Sequence, residues 1–242
     1  MTLLRGDALS EAFDHGSTAY DRLVSASPGY HAHLRRSARR LGLPEGGSGL
    51  RVLDLGCGTG ASTAALLAAA PRARITGVDA SAGMLDRAAA KSWPRGVDFA
   101  HLPVEELAGR LEAGSFDAVF AGYLFRNLTS PDEALDMVRG LLVPGGRLAV
   151  HEYTLGGSPV HRAVWSVVCS LIIQPAGRLA GDAGLYRHLR DSVTQFDTAP
   201  AFAHRLRRAG FADVRVLPLP GWQTGITHTF VARTAVVPGA GA

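Results

Sequence analysis

Residues 51–60, with the sequence RVLDLGCGTG, constrain the fold of this chain more than any other stretch. Val52, Leu53 and Leu55 predict a strand buried on both faces, because strands of parallel sheets read as nearly continuous apolar runs. Glycine tolerates a positive φ and lets a ligand approach the backbone, so the three glycines that follow predict a sharp turn beside a ligand. These glycines are Gly56, Gly58 and Gly60. Residues 61–70 then read as a helix, whose free N–H groups would face the same ligand.

A second predicted strand, residues 75–79, ends in an acid at Asp79. In an open α/β sheet, an acid at this position can accept hydrogen bonds from both hydroxyls of a ribose, so we predict this role for Asp79. The glycine spacing differs from the GxGxxG pattern that places a pyrophosphate on the helix N-terminus. Asp54 stands directly before the turn, and a buried acid there favours a cationic ligand by charge complementarity.

Residues 54–60, DLGCGTG, and residues 77–81, GVDAS, resemble the first two motifs of class I S-adenosylmethionine-dependent methyltransferases. The resemblance implies S-adenosylmethionine as cofactor, S-adenosylhomocysteine as product, and no metal ion. It implies an α/β, Rossmann-like, doubly wound fold: a mostly parallel seven-stranded sheet with an antiparallel C-terminal strand and a helical insertion after strand five. The competing interpretation is a Rossmann-like turn for another nucleotide. The expected cofactor-binding residues are Tyr20, Asp54, Gly56, Gly58, Gly60, Asp79, Ala80, Met84 and Tyr123.

Two of these cofactor residues have an equally simple structural interpretation. Tyr20 lies in a Tyr-Asp pair that resembles one in the N-terminal helix of many of these enzymes, where the tyrosine helps to close the cofactor pocket; simple packing is the alternative. Met84 is expected either against the adenine or in the core. The chain departs from the family at residues 100–105, AHLPVE, which replace the usual Gly-Asp or Asn-Ala pair. Backbone groups there would have to contact the adenine.

Four further segments resemble one subgroup, the menaquinone and ubiquinone C-methyltransferases. They are residues 116–119 (FDAV), 126–128 (RNL), 142–148 (LVPGGRL) and 186–193 (YRHLRDSV). The resemblance implies a hydrophobic aromatic or quinol substrate, specifically carbon methylation of a prenylated, demethylmenaquinol-like ring.

The resemblance also implies which residues act on the substrate. Arg126 and Asn127 would orient the ring oxygen and a water molecule after strand four, with a structural loop cap as the alternative. Tyr186 and His188 are the second pair of catalytic candidates. The unperturbed pKa of histidine lies near neutrality, which makes His188 a candidate base; a surface or core histidine is the alternative.

One segment, residues 221–229, departs from the subgroup, because His228 matches its histidine but the arginine after it is missing. Three other functions therefore stay open. One is oxygen or carbon methylation of a secondary-metabolite aromatic or polyketide. Another is a cyclase that retains S-adenosylmethionine, and the last is a non-catalytic binding module.

The length of 242 residues, with 47% apolar and 19% charged residues, is typical of one globular domain. We predict a single domain over residues 1–242, with an N-terminal helical cap over 1–43, a substrate-covering helical insertion over 154–198 and a flexible tail over 236–242. The helices predicted in the cap are residues 8–24 and 28–42. The strands predicted after the first two are residues 96–101, 115–120, 147–152, 211–217 and 226–233.

Composition also limits the expected partners. Cys57 and Cys169 are the only cysteines, so we predict no disulfide framework and a cytoplasmic location. The N-terminus has no apolar run and no stretch is long enough to span a bilayer, so neither a signal peptide nor a spanning helix is expected. The formal charge of +4 is carried largely by arginines, which form solvated helix faces or contact an anionic membrane surface. We do not expect nucleic acid as a partner. We expect the chain to form a homodimer.

Overall fold

A seven-stranded sheet forms the centre of the protein in the computed structural model, which describes residues 3–6, 8–14, 29–173, 175 and 183–236. The strands are β1 Arg51–Leu55, β2 Arg74–Asp79, β3 Val97–His101, β4 Phe116–Gly122, β5 Leu142–Tyr153, β6 Ala212–Pro218 and β7 Thr227–Arg233. Their order across the sheet is β3-β2-β1-β4-β5-β7-β6. Only β7 is antiparallel to its neighbours β5 and β6. The predicted fold class, a mostly parallel doubly wound sheet with an antiparallel C-terminal strand, is confirmed.

Helices surround this sheet. The helices of the described residues are α1 (8–14), α2 Tyr30–Arg39, α3 Ala61–Ala69, α4 Ala82–Ala89, α5 Leu107–Arg110, α6 Pro131–Leu141, α7 Pro159–Val168, α8 Ala183–Gln195 and α9 Ala199–Arg208. Short 3₁₀ turns cover Pro44–Gly47, Val104–Glu106, Phe125–Asn127 and Gly221–Gln223, and a π-helical turn, Cys169–Ile173, continues α7. None of the helices in these described parts is long and apolar enough to cross a bilayer.

The sheet has a hydrophobic core on each face because successive side chains of a strand point in opposite directions. In β1, Leu53 and Leu55 join the core under α5, α6 and α9, whereas Val52 joins the core under α2 and α3. All three side chains are fully buried, as predicted. Because parallel strands present their carboxyl ends at the same edge, the turns after β1, β2, β4 and β5 lie together there.

Local sequence explains where several helices begin. The Ser81 hydroxyl accepts a hydrogen bond from the Met84 N–H and caps α4. Helix α6 begins at Pro131, whose ring fixes φ and whose missing N–H costs nothing in the first turn. In the cap, the predicted helix over 8–24 is described over 8–14 only, and the second helix begins at Tyr30 and ends at Arg39.

The start of β5 differs from the prediction. The predicted strand starts at residue 147, after the Pro-Gly-Gly of residues 144–146, but β5 begins at Leu142. Leu142 pairs with Phe116, and the next pair with β4 is Arg147 with Ala118. Residues 143–146 make no pair with β4, so the Pro-Gly-Gly lies in a bulge within β5, where Gly145 has a φ of 75°.

Candidate active site

The glycine turn after β1 presents one open face. Gly56, Gly58 and Gly60 have φ of 70°, 53° and 87°, all in the region that favours glycine. A Cβ at Gly56 would lie 2.9 Å from the Leu124 side chain, and one at Gly60 would lie 2.7 Å from the Trp93 ring. A Cβ at Gly58 would meet no atom within 4 Å. Gly56 and Gly60 are thus closed by the protein itself, and Gly58 is the position at which a ligand can approach the backbone.

The carboxylate of Asp79 lies beside this open glycine at the end of β2. Its Oδ2 accepts a hydrogen bond from the Gly58 N–H at 2.7 Å, and its Oδ1 accepts one from the Ser81 N–H at 2.9 Å. Burial raises the pKa of Asp79, and the N–H donors of Ser81 and Gly58 oppose that rise. Each carboxylate oxygen keeps a second lone pair, so the side chain can still accept hydrogen bonds from two hydroxyls.

Asp54 is fully buried behind the turn and is only half satisfied. Its Oδ2 accepts hydrogen bonds from the hydroxyls of Ser62 at 2.8 Å and Thr63 at 2.6 Å. Its Oδ1 has no hydrogen-bond partner among the residues that the structure describes. Burial raises the pKa of Asp54 to about 7, with a smaller contribution from the Asp79 charge. A buried, partly unsatisfied carboxylate beside an open turn fits a cationic group on the ligand.

A third carboxylate, Asp14 of α1, lies on the same side. Its Oδ1 accepts hydrogen bonds from the Ser81 hydroxyl and, at 2.9 Å, from the Gly83 N–H. The Asp14 charge also contributes to the raised pKa of Asp79. The N-terminal helix therefore lies against the start of α4, next to the predicted ribose ligand. Sequence reasoning assigned Asp14 no role, because no motif marks this contact.

The structure describes three of the four remaining predicted cofactor residues. Met84 is buried on α4, which agrees with its core interpretation. The Ala80 carbonyl lies 2.8 Å from the His101 Nε2, in the loop that departs from the family pattern. Tyr123 is buried at the end of β4 with a φ of 58°. Tyr20 lies outside the described residues.

A row of aromatic rings crosses the carboxyl ends of β4 and β5. Tyr123 stacks on Tyr30 of α2 with ring centroids 5.6 Å apart and an interplanar angle of 14°. Its other neighbour in the row is Tyr153, at 4.8 Å, and Tyr153 lies 5.2 Å from Trp165 of α7. These rings belong to the N-terminal cap, the sheet and the insertion, and together they form a largely buried aromatic cluster next to the loop after β4.

A buried ion pair lies beneath these rings. Arg126 Nη1 donates to Glu152 Oε1 at 2.7 Å and to the Tyr123 carbonyl at 2.7 Å. The Arg126 guanidinium also lies 5.5 Å and 5.6 Å from the ring centroids of Tyr123 and Tyr153. Burial raises the pKa of Glu152 and the Arg126 charge opposes this effect. Sequence reasoning assigned Glu152 no role, although it is the counter-ion of a predicted catalytic residue.

Asn127 and His188 are brought together by the fold. Asn127 Nδ2 donates to the Tyr123 carbonyl at 3.1 Å, and its Oδ1 lies 3.1 Å from His188 Nε2. Because an amide oxygen can only accept, the imidazole donates from Nε2 and carries its lone pair on Nδ1. Tyr186, the other candidate from the same helix, is also buried.

The environment of His188 moves its pKa away from the neutral range that is ordinary for histidine. Burial, followed by the charges of Arg126 and Arg5, lowers the pKa of His188 to about 4. The ring is therefore neutral at physiological pH and is a weaker base than an ordinary histidine. Its Nδ1 has no hydrogen-bond partner among the described residues. The Nδ1 of His188 is thus a buried and only weakly basic proton acceptor.

Comparisons with known proteins agree on one family. The profile of the ubiE/COQ5 methyltransferase family matches residues 1–230. A protein named demethylmenaquinone methyltransferase from Clavibacter sepedonicus is 32% identical over 209 residues, which cover 85% of this chain and 83% of the relative. A protein of the same name from Thermus thermophilus is 32% identical over 201 residues, covering 83% and 91%. The ubiquinone/menaquinone biosynthesis C-methyltransferase UbiE of Syntrophotalea carbinolica is 32% identical over 213 residues, covering 86% and 88%.

Solved structures share the fold at lower identity. A SAM-dependent methyltransferase from Thermotoga maritima, titled a possible histamine N-methyltransferase, has a TM-score of 0.64 at 20% identity and covers 93% of this chain and 99% of its own. The [4+2]-cyclase SpnF has a TM-score of 0.68 at 18% identity and covers 98% of each chain. Because methyltransferases and a cyclase share this architecture, the fold alone does not distinguish methyl transfer from cyclisation.

Proposed function

Because the chain belongs to the ubiE/COQ5 methyltransferase family and is an S-adenosylmethionine-dependent methyltransferase, we propose that its methyl acceptor is a ring carbon of a prenylated quinol of the demethylmenaquinol type. The observation that carries this proposal is the Arg126–Asn127 loop beneath the aromatic row. The apolar rings fit a flat hydrophobic ring, and the loop supplies a buried cation and an amide at its edge. The names of relatives that match most of the chain support the same substrate class.

The cofactor would be held at the turn after β1. We assign Asp79 to the ribose hydroxyls and the open face at Gly58 to the closest backbone approach. The unsatisfied Oδ1 of Asp54 fits the positively charged part of the cofactor, because the ionised carboxylate lacks a counter-charge. Asp14 adds a further negative charge on the ribose side.

When bound, S-adenosylmethionine supplies an electrophilic methyl group, so the protein mainly has to hold the acceptor carbon in line with it. A hydroquinone ring becomes a better carbon nucleophile when its hydroxyl shares or loses its proton. In this proposal the hydroxyl proton passes to a water molecule, Arg126 stabilises the oxygen as negative charge develops, and Asn127 fixes its position. The proton on the methylated ring carbon then leaves to solvent as the ring becomes aromatic again. Glu152 holds Arg126, and neutral His188 orients the Asn127 amide through its Nε2–H. Tyr186 completes the wall on α8.

The test is incubation of the protein with labelled S-adenosylmethionine and a panel of acceptors, followed by location of the label by NMR. The panel contains demethylated prenyl quinols, the same quinols with their hydroxyls methylated, and simple phenols. Label on a ring carbon of the prenyl quinol supports the proposal. Label on oxygen, or transfer to phenols only, contradicts the quinol assignment while leaving methyl transfer intact. Cofactor binding without transfer to any acceptor would favour the cyclase or binding-module alternatives.

We further propose that α7 brings the crevice of this cytoplasmic enzyme to a membrane surface, where a prenylated substrate resides. One side of α7 and the turn after it is exposed and apolar, while Trp165 on the other side contacts Tyr153. The exposed residues are Val160 (65%), Val164 (38%), Val167 (55%) and Leu171 (72%), spaced so that they share a helix face. Residues 154–173 contain no acidic residue and carry Arg162, which suits an anionic lipid surface.

Vesicle co-sedimentation tests the membrane contact. The double variant Val164→Glu, Val167→Glu should lose binding to vesicles that contain phosphatidylglycerol while keeping turnover on a short-chain quinol. Val236→Glu is the control, because Val236 is a more exposed valine (71%) outside this helix. Equal vesicle binding by the wild type and the double variant would contradict the assignment of this face.

A further inference from the structure

A groove of about 630 Å³ lies at the amino end of the sheet, away from the candidate active site. Four arginines line it: Arg40 directly after α2, Arg147 of β5, Arg215 of β6 and Arg233 of β7. One acidic residue, Asp213, lines it as well. The groove is thus lined by four arginines and one aspartate, which leaves it with an excess of positive charge.

The register of the strands places three of these arginines on the same face of the sheet. Arg147 is the cross-strand partner of Arg233, and Arg215 is the partner of Val231. Cross-strand partners share a face, and so do residues two apart in a strand, such as Val231 and Arg233. This is the face that α2 covers, since Val231 joins the core under α2. Because α2 ends at Arg39, the groove is left open beyond it.

Two of the guanidinium groups are held in place by neutral acceptors. Arg147 Nη1 donates to the carbonyls of Leu41, at 2.8 Å, and Gly42. Arg40 Nη1 donates to the Leu217 carbonyl at 2.8 Å and to the Thr229 hydroxyl at 2.7 Å. These contacts fix the side chains without neutralising them.

None of the four forms an ion pair with a carboxylate within the described part of the chain. Like charges directly opposite on neighbouring strands destabilise a sheet, and Arg147 and Arg233 occupy such positions. Burial, and then the Arg233 charge, lowers the pKa of Arg147. Burial, and then the Arg36 charge, lowers the pKa of Arg40. An anion bound in the groove would relieve this repulsion.

We propose that this groove is a binding site for a ligand that carries clustered phosphate charges. Guanidinium groups bind phosphate oxygens with paired hydrogen bonds, and the two anchored arginines need no reordering to do so. The two exposed arginines, Arg215 and Arg233, would close on the ligand from the outer strands. The same phosphate chemistry is presented by a soluble diphosphate and by the headgroups of anionic lipids. This site is independent of the proposed substrate.

Calorimetry of the full chain with inorganic pyrophosphate tests the soluble form of the ligand. We expect saturable binding that weakens as salt rises, and at least about a tenfold loss in the double variant Arg215→Glu, Arg233→Glu. Both side chains are exposed, so the variant should fold, which a thermal unfolding curve checks. Arg110→Glu is the matched control, because Arg110 is an exposed arginine on α5, under the opposite face of the sheet.

The lipid form is tested with phosphatidylglycerol vesicles, using protein that already carries Val164→Glu and Val167→Glu so that α7 does not contribute. Binding that depends on Arg215 and Arg233 in either arm supports the site and identifies the source of the phosphate. The proposal is overturned if neither pyrophosphate nor vesicles bind. It is also overturned if the double variant binds them as tightly as the Arg110→Glu control does.

Discussion

Arg126 and Glu152 form an ion pair of 2.7 Å between two side chains that are almost completely removed from solvent. Arg126 follows β4 and Glu152 lies near the end of β5, so the pair joins two neighbouring strands at the edge where the proposed substrate would bind. Removing one partner of a buried pair leaves the other charge uncompensated, which typically costs about 3 to 5 kcal/mol. The pair therefore links the stability of this edge to the position of a proposed catalytic group.

Replacement of either partner should affect the methyl-transfer step and not the cofactor. We expect Arg126→Ala to abolish turnover, and Glu152→Gln to reduce it because Arg126 loses its anionic anchor, while the Kd for S-adenosylmethionine changes by less than about threefold in each. Single-turnover kinetics and calorimetry measure the two quantities. The control is Asp136→Asn, which removes an exposed pair with Arg139 at 3.9 Å and should change neither. Normal methylation by Arg126→Ala would remove the loop from the mechanism.

Asp79 should control cofactor affinity. Loss of two charge-assisted hydrogen bonds to the ribose predicts that Asp79→Ala weakens binding by about 3 kcal/mol, or more than a hundredfold. Asp79→Asn, which keeps the shape and one acceptor for the Gly58 N–H, should lose less. Asp98→Ala on the neighbouring strand β3 is the control, since Asp98 is exposed. Calorimetry that gives the same Kd for wild type and Asp79→Ala would exclude Asp79 from the site.

The raised pKa of Asp54 predicts how protein stability and cofactor affinity depend on pH. In the folded protein without cofactor this group binds a proton up to about pH 7, whereas in the unfolded chain it loses the proton near its ordinary pKa. Its contribution to stability is therefore complete only below about pH 4, falls as the pH rises from there, and is lost above about pH 7. A cationic cofactor favours the ionised form, so one linked proton predicts about tenfold tighter binding at pH 8 than at pH 6.

Asp54→Asn should remove most of this dependence, because the amide does not titrate. The measurement is the Kd for S-adenosylmethionine at pH 6, 7 and 8 for both proteins. Comparing them on the same ligand cancels any titration of the cofactor itself. Parallel pH profiles for the two proteins would show that Asp54 is not the titrating group.

His188 should stay neutral well below its ordinary pKa. Burial next to Arg126 and Arg5 predicts that NMR of the labelled ring shows a titration midpoint near 4 and Nε2 protonation above it. Asn127→Ala removes the Oδ1 acceptor and should change the chemical shift of His188 Nε2, whereas the exposed His204 should be unaffected. A midpoint near 6.5 for His188 would restore it as an ordinary general base.

The parts of the fold that depend on adjacent residues could be predicted from the sequence. The apolar run of β1 is local and appears as expected, and the helix start at Ser81 is likewise fixed by adjacent residues. The Pro-Gly-Gly of residues 144–146 has the local chemistry of a turn and makes no pair with β4, yet Leu142 before it already pairs with Phe116. Only the neighbouring strand distinguishes these two outcomes, and its register is not encoded in the segment itself.

The candidate site shows the same division. Asp54 and the glycines share one short motif and Asp79 ends the next predicted strand, so the sequence places them together. Asp14 contacts Ser81 across 67 residues, and Glu152 contacts Arg126 across 26, so neither contact could be anticipated without the fold. A lowered pKa such as that of His188 likewise depends on burial and on charges brought from other elements.

Gly58 and Gly60 belong to one turn but should respond differently to substitution by alanine. Alanine at a positive φ costs about 1 to 2 kcal/mol at either position. At Gly60 the new Cβ would also lie 2.7 Å from the Trp93 ring, which adds about 1 to 3 kcal/mol of overpacking. Gly60→Ala should therefore lower the free energy of unfolding by about 2 to 5 kcal/mol, and Gly58→Ala by less. Because the space at Gly58 is open to the ligand, Gly58→Ala should instead weaken S-adenosylmethionine binding more than its stability loss explains. Urea denaturation and calorimetry on both variants measure these effects, and equal stability losses with equal Kd values would contradict the assignment of Gly58 as the ligand-facing position.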